Sequence, residues 1–488
     1  MNTQRVAVIG SGFASWGAIK RLLDEKFLDI EVLDIGLDRP VEGAQEHQVA
    51  NSKPLHGSYF PYGINDQKYP ICIETKRMCS SHALGGFSRV YSGAMIYPKS
   101  GDLHDWPQES IPTSKDYSAI LEQIPILKEI DDLDSQFPLF PTDQDLKKKD
   151  DDCSVLGASR IAVKGEPSTE NTDLKNWTVD TPLRKLINQK KIAYSAGVYV
   201  ESVQAQSDGV TVWFKNEGAL CSRHFDAVFI GAGCINSTTI IDRSIAKEGS
   251  RTYPILAPGS VLQAFLRLPR SLPPFALQRR RYNLPEYFLE ISNSKTQSSW
   301  SHTQLAALNQ QIIEMICVML PEWLHFIPRR ARNIIYFAMS GIKSSKVPVA
   351  SLRSTVFRDD YGTLQQKISI IEKKVFPRKE LIFEVRRAVL QNWRKLSMIP
   401  LPFSNILADF LRGNTLGGWH FGGTLPMKET PTADSDLFPN GEVKGVPRAY
   451  ILDSSSFPSI PSSTIALLSA ANGHRVARQW AESRERGV

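Results

Sequence analysis

The sequence predicts an α/β protein in which one parallel sheet is assembled from well-separated stretches of chain. Three observations predict it. The chain opens on an apolar strand, a tight glycine turn and a helix, Val6 to Leu23. A second apolar run that ends in small residues, Asp226 to Gly233, lies more than 200 residues downstream. The composition, 42% hydrophobic and 22% charged over 488 residues, is that of an ordinary globular chain.

At roughly 150 residues per domain the length suggests about three units, although large α/β enzymes often interleave two. The 58 Lys and Arg exceed the 51 Asp and Glu by seven. That is a mild bias on a chain this long and argues against a nucleic-acid partner. The six cysteines, Cys72, Cys79, Cys153, Cys221, Cys234 and Cys317, include no CxxC pair and no zinc spacing. No metal is therefore expected, and scattered thiols fit a reducing compartment. Met1 to Arg5 runs straight into a short strand with no long apolar signal region, and no stretch reaches the roughly 18 apolar residues of a membrane span. The expected location is the cytoplasm.

Val6-Ala7-Val8-Ile9 reads as a buried parallel strand because it is continuously apolar. Gly10-Ser11-Gly12-Phe13-Ala14-Ser15 follows as a GxGxxG-type turn with Ser15 in the third place. Gly10 permits the sharp turn, Gly12 lets the backbone approach a pyrophosphate, and Ser15 is small enough for close helix–strand packing. A helix from Ala14 to Leu23 would present its first N–H groups to phosphates. A second strand, Ile30 to Ile35, places Asp34 where ribose hydroxyls need an acceptor. An aspartate there disfavours NADP, whose 2′-phosphate it would repel, and leaves FAD and NAD open. Val198 to Ser202 and Gly209 to Phe214 read as strands of a meander. With the first motif in place, Asp226 to Gly233 reads as the same sheet revisited after an insertion, with Ala232 and Gly233 near the nucleotide.

The C-terminal stretch narrows the choice. His420-Phe421-Gly422-Gly423-Thr424-Leu425-Pro426-Met427 is followed by Val446 to Leu452, Asp453-Ser454-Ser455-Ser456-Phe457-Pro458 and a final helix from Ile465 to Trp480. This order resembles the glucose–methanol–choline (GMC) family of flavin oxidoreductases, whose C-terminal part carries His-x-x-Gly-Thr-x-x-Met and then Asp-x-Ser-x-x-Pro. Leu84-Gly85-Gly86-Phe87-Ser88-Arg89-Val90-Tyr91-Ser92-Gly93 is similar to the family's glycine-rich loop beside the flavin, and Asp102 to Trp106 to the segment after it. The form of that loop is most similar to bacterial members associated with polysaccharide assembly.

The resemblance implies a Rossmann-type FAD-binding domain interleaved with an α+β substrate domain on an antiparallel sheet, the two-domain architecture shared by GMC and p-hydroxybenzoate-hydroxylase-like enzymes. The FAD domain would comprise 1–110, 195–265 and 415–488, and the substrate domain 111–194 and 266–414. Bound FAD would meet Gly10, Gly12, Phe13, Ala14, Ser15, Asp34, Gly85, Gly86, Ser88, Gly93, Ala232, Gly233, Asp453 and Ser454. His420 would be the base that takes a hydroxyl proton. Thr464 stands where the family usually has a second His or an Asn, and would orient the hydroxyl. Members with a histidyl–flavin bond carry that His where this chain has Val90. His82 lies nearby without aligning, so the expected FAD is non-covalent.

Other histidines carry weaker signals. His104, His302 and His325 show no partnering pattern, and solvated or structural roles are expected for them. For His474 and Arg475 in the final helix, contact with cofactor phosphates and a helix-face role both stand open.

The middle of the chain gathers the positive charge. Arg267, Arg270, Arg279, Arg280 and Arg281, then Arg329, Arg330 and Arg332, flank an amphipathic stretch, Gln304 to Leu320, with Leu305, Leu308, Ile312, Ile316 and Leu320 on one stripe. The stripe reads as core with solvated arginines, or as a basic surface within 267–337 that lies on the inner face of a membrane or grips an anionic substrate. Two functions from different classes follow. One is an FAD-dependent oxidation of a CH–OH group on a sugar-related or lipid-linked small molecule. The other is a flavin-binding, membrane-associated assembly component with little turnover. A redox-neutral sugar mutase is disfavoured by the His420 motif.

Overall fold

The residues described in the computed structural model are 3–36, 80–89, 91, 93–127, 154–158, 160–164, 175–245, 248–268, 287–292, 300–307, 317, 321–331, 334–344, 346–360, 364–373, 379–402 and 420–485. Two six-stranded sheets organise them. The first has the spatial order Glu442–Val443, Val446–Ile451, Ala227–Ile230, Gln4–Ile9, Leu28–Leu33, Ala193–Ser195, with only the Glu442–Val443 edge antiparallel. Val6 to Ile9 pair with Ala227 to Ile230 on one side and Ile30 to Leu33 on the other. All four are buried, which is why they read as an unbroken apolar run.

One face of this sheet is covered by two helices, Phe13–Leu22 and Ala466–Glu485. Their backbones touch through glycines placed reciprocally. A Cβ on Gly17 would lie 1.9 Å from the Ala470 carbonyl oxygen, and one on Gly473 1.9 Å from that of Ala14. Phe229 sits between Tyr450 and Trp480, with ring centroids 5.4 and 5.3 Å away. Burying a side chain of that size stabilises the fold by roughly 1.5–3 kcal/mol. A three-stranded meander, Val198–Ala205, Val210–Asn216 and Ala219–Phe225, packs against the parallel strands.

The second sheet is antiparallel, in the order Met398–Pro400, Gly259–Arg267, Ile335–Ile342, Trp300–Ala307, Tyr287–Ser292, Ser154–Ala158. Its second core contains Phe265, Leu305, Tyr336 and, from the helix Lys379–Gln391, Val385 and Val389. A three-stranded sheet, Gly249–Ile255, Ala350–Arg358 and Leu364–Glu372, completes the larger elements.

The fold class is therefore the expected one, a parallel-sheet half interleaved with an antiparallel half. The chain crosses between them at other places than the expected boundaries. Gly259–Arg267 belongs to the second sheet along its whole length, so the junction at 265/266 falls inside a strand. Within 111–194, Ser154–Ala158 joins the second sheet, whereas Tyr117, Ile120, Trp177 and Leu183 pack into the core of the first. The amphipathic stretch expected from Gln304 begins in a strand. Leu305 enters the second core by two-residue alternation, with His302 and Gln304 on the opposite face. Leu308, Ile312, Ile316 and Leu320 lie outside the described residues, as do Arg270, Arg279, Arg280, Arg281 and Arg332.

Candidate functional site

A cavity lies along the carboxyl ends of the parallel strands and reaches the antiparallel sheet. It is lined at the first sheet by Gly10 to Ala14, Asp34, Ile35, Val198 to Val200 and Gly231 to Asn236, and toward the second by Ala94, Gln304, Met339, His420, Phe421 and Thr464. Ligands of open parallel sheets bind at this end of the strands.

The glycine turn is built for a ligand. Gly10 has φ +88°, and a Cβ there would lie 2.6 Å from the Gly231 carbonyl oxygen. Gly12 caps the helix Phe13–Leu22 without a side-chain hydrogen bond, and a Cβ on it would meet no protein atom within 4 Å. The unshared N–H groups of that helix start are thus left to whatever occupies the cavity. Ser15 turns away from the cavity. Its hydroxyl donates to the Gly231 carbonyl at 3.3 Å, which is the close helix–strand packing expected of a small residue.

Asp34 accepts from the Ser11 hydroxyl and from Tyr194 Oη at 3.0 Å, both on Oδ2. Burial is the largest influence on its carboxyl and pushes its pKa up to about 6, against those hydrogen bonds and the nearby His82. A ribose hydroxyl donating to this carboxylate would offset the burial. Asn236, on the helix Cys234–Ile245, adds a buried Oδ1 acceptor with no hydrogen-bond partner among the described residues. The uncapped helix start, the open space at Gly12 and these acceptors fit a dinucleotide. The Cys234 thiol is held protonated by burial, with a pKa raised to about 12, and is no nucleophile.

The loop from Gly85 to Gly93 splits between lining and support. Gly86, Phe87 and Tyr91 line the cavity. Gly85, Ser88 and Gly93 stand behind it. The Gly85 N–H donates to Ser11 Oγ at 2.9 Å, the Ser88 hydroxyl donates to the Gly85 carbonyl at 2.6 Å, and Gly93 lies against Ile161. Asp453 locks the last turn onto the helix Cys234–Ile245. Its Oδ2 accepts from the Gly233 N–H at 2.8 Å and the Ser237 hydroxyl at 2.5 Å, and its Oδ1 accepts from the Ser455 N–H and hydroxyl. In this structure its carboxyl serves as a structural acceptor. Phe13, Ala14, Ala232, Gly233, Asp453 and Ser454 all line the cavity.

His420 reaches the cavity at the start of a loop pinned in place. Leu256 and Gly422 exchange two backbone hydrogen bonds, and a Cβ on Gly422 would lie 2.2 Å from the Ser454 carbonyl oxygen. Gly422 thus serves close packing against Ser454. Thr464 is buried at the cavity wall, and its hydroxyl donates to the Ala94 carbonyl at 3.3 Å. Asp102 and Trp106 hold the loop that carries it. Asp102 Oδ2 accepts from the Ser462 N–H and hydroxyl, and Trp106 Nε1 donates to Ser459 Oγ at 3.0 Å. Neither His474 nor Arg475 lines the cavity. His474 Nδ1 lies 2.8 Å from Asp116, and Arg475, fully buried, donates to the Pro439 carbonyl and to Asn472 Oδ1. They take the open helix-face alternative and tie the last helix to its surroundings.

The antiparallel sheet brings together residues whose partnership the sequence did not show. Glu290 and His302 face each other across neighbouring strands, and Glu290 also pairs with Lys99. All three are essentially buried. Glu290 Oε1 lies 2.5 Å from His302 Nδ1, which fixes the proton on that nitrogen while the glutamate is ionised. Burial above all, then the charges of Lys99 and His420, hold the His302 pKa well below the ordinary range. His302 thus has a structural role, in a cluster close enough to His420 to feel its charge. His104 lies at the surface beside Lys343. Among the described residues no group of three or more side chains has metal-binding geometry.

No family profile matches the sequence, and no curated protein is similar to it. Among solved structures, the chain is similar to the crystal structure of pyridoxine 4-oxidase from Mesorbium loti. The TM-score is 0.58 over 98% of this chain and 99% of that chain, at 13% sequence identity. The likeness shows that the two chains share the interleaved two-domain fold.

Proposed function

We propose that this chain is an FAD-dependent oxidoreductase of the GMC type that oxidises a CH–OH group. One observation carries the reading. A single cavity joins an uncapped, glycine-opened helix start and Asp34 to a far end where His420 and Thr464 meet the antiparallel sheet. The motif resemblance and the fold shared with an oxidase support it. Gly10 to Ala14, Asp34, Gly86, Ala232, Gly233 and Ser454 would hold the FAD, without a covalent bond. Bound FAD would supply the hydride acceptor.

The protein supplies position and proton transfer. His420 takes the hydroxyl proton at a ring nitrogen, a step that a group with pKa near neutrality performs well. Thr464, whose hydroxyl donates to the Ala94 carbonyl at 3.3 Å, would turn that hydrogen to the substrate oxygen and orient it, which leaves the substrate proton for His420. His302, held neutral, places no second positive charge beside the histidine that must accept a proton. Phe421 and Met339 line this end with apolar surface that keeps bulk water away.

The test is anaerobic. Purified yellow protein is mixed with a panel of alcohols, sugars and polyols. Bleaching of the flavin by at least one of them, abolished in His420→Ala with flavin still bound, is the expected result. A flavin that stays oxidised with every compound contradicts turnover and favours the reading as an assembly component.

We propose in addition a peripheral membrane contact at the inner membrane face. Trp323, Phe326 and Ile327 are 72%, 52% and 48% exposed in consecutive short helical turns, with the Arg330 guanidinium over the Phe326 ring. Such an aromatic and basic projection suits an anionic interface. Among the described residues no helix is long and apolar enough to cross a membrane. Flotation with anionic liposomes, lost in Trp323→Ser, is expected, and recovery of all the protein in the bottom fraction contradicts it.

A further inference from the structure

We propose that Gln304 sets specificity at the reacting end and that the substrate there is an uncharged, polyhydroxylated molecule, whose second hydroxyl hydrogen-bonds the Gln304 amide. This rests on the alcohol oxidation proposed above and names its substrate class.

Gln304 and Met339 face each other across neighbouring strands, and among the described residues they are the second sheet's contribution to the cavity wall. Gln304 is 5% exposed. Its side chain makes no hydrogen bond among the described residues. A primary amide offers two donor hydrogens and an acceptor oxygen. The amide opens onto the cavity, so a ligand that displaces solvent there without replacing its hydrogen bonds would leave it unpaired at a cost of roughly 1–3 kcal/mol. A ligand group that both donates and accepts would satisfy it, and a hydroxyl does both.

Charge argues in the same direction. No lysine or arginine lines the cavity among the described residues. A phosphate or carboxylate held at this end would lose its water with no cation to replace it. Lys99 does not fill that role, because its charge is paired with Glu290 away from the wall. The anionic substrate that the arginine clusters suggested therefore has no described partner at the reacting end.

The amide is also held in register with the catalytic wall. Phe288, directly opposite Gln304, packs against Ala94 and Ile96, and Ala94 carries the carbonyl to which Thr464 donates. One pleat further, Glu290 and His302 clamp the same two strands. Gln304 can thus hold one substrate hydroxyl while Thr464 and His420 hold another.

The test compares three probes on the FAD-loaded protein: myo-inositol, cyclohexanol and myo-inositol 1-phosphate. Binding is read by calorimetry and by perturbation of the flavin band, and turnover by anaerobic bleaching. Wild type should bind myo-inositol better than either other probe. Gln304→Leu should weaken myo-inositol binding roughly tenfold to a hundredfold, leave cyclohexanol unchanged and leave the flavin content intact. Gln304→Asn should recover part of the loss. Equal loss for myo-inositol and cyclohexanol, tighter binding of the phosphorylated probe, or no response to myo-inositol in wild type would each overturn the inference. Bleaching by cyclohexanol with no response to the polyol sinks the inference and spares the oxidation. Gln304-dependent polyol binding without bleaching by any alcohol does the reverse.

Discussion

The two ends of the cavity achieve polarity by different means. At the nucleotide end the polar groups are mostly backbone. The N–H groups of a helix start, the turn at Gly10 and the open space at Gly12 do the work, and two carboxyls, Asp34 and the structural Asp453, are added. At the end where His420 lies the polar groups are side chains: antiparallel pairing sets Glu290 opposite His302 beside Gln304, and Lys99 and His420 come from loops. The first end is largely local in sequence and, at Gly10, intolerant of added protein atoms. The second is non-local and depends on charges that balance one another.

The sharpest break of this contrast lies in the first half. Gly473→Val would place its side chain into the Ala14 carbonyl, from 1.9 Å at the Cβ. With backbone on both sides the clash cannot relax, and a loss of more than about 3 kcal/mol is expected. Thermal unfolding would show it as loss of soluble, cooperatively melting protein.

In the second half the comparable break is electrostatic. Lys99→Met leaves Glu290 buried without its cation, at a cost of roughly 3–5 kcal/mol. Lys99→Met combined with Glu290→Gln should recover much of that loss, because no uncompensated charge remains. Denaturant melts of the single and double variants check this, and equal destabilisation by both would contradict the charge account.

His420→Ala should retain the flavin and lower the rate of reduction by roughly 10²–10⁴-fold. Stopped-flow reduction with whichever alcohol bleaches the wild type measures it, and an unchanged rate removes His420 from the chemistry.

The smallest effect concerns Asp34. Burial raises the Asp34 pKa to about 6, above its ordinary 3.8, so the ionised form costs folding energy. Without cofactor the protein should gain stability as pH falls through about 6 toward 4. A ribose hydroxyl favours the ionised form, so FAD affinity should fall below about pH 6, by up to about tenfold per pH unit. Asp34→Asn should flatten that dependence in a fluorescence titration.

The same contrast explains what could be read from the chain. Gly10, Gly12, Ser15 and Asp34 lie within one βαβ stretch, so their spacing alone carries the geometry. The C-terminal turn was legible because Asp453 accepts from the N–H and hydroxyl of Ser455, only two residues on. Glu290, His302 and Gln304 were not legible. Their meaning comes from strand register and from Lys99, nearly 200 residues away, and alternating polar residues in a strand ordinarily mark a solvated face. Leu305 shows the related error of period. It fits a helical stripe on paper, yet the core takes it in two-residue alternation. A buried acid and a buried histidine directly opposite each other would have been found only by pairing the strands first.

The most direct measurement uses Gly12, where an added Cβ has no described protein atom within 4 Å and the backbone, at φ −74°, accepts any residue. The absorption spectra of wild type and Gly12→Val are recorded after incubation with FAD and removal of the excess, with melting curves alongside. Wild type should carry flavin that acid precipitation releases as intact FAD, and Gly12→Val should melt normally and stay colourless. Flavin retained by Gly12→Val, or a wild type that remains colourless, would contradict the assignment of this cavity to FAD.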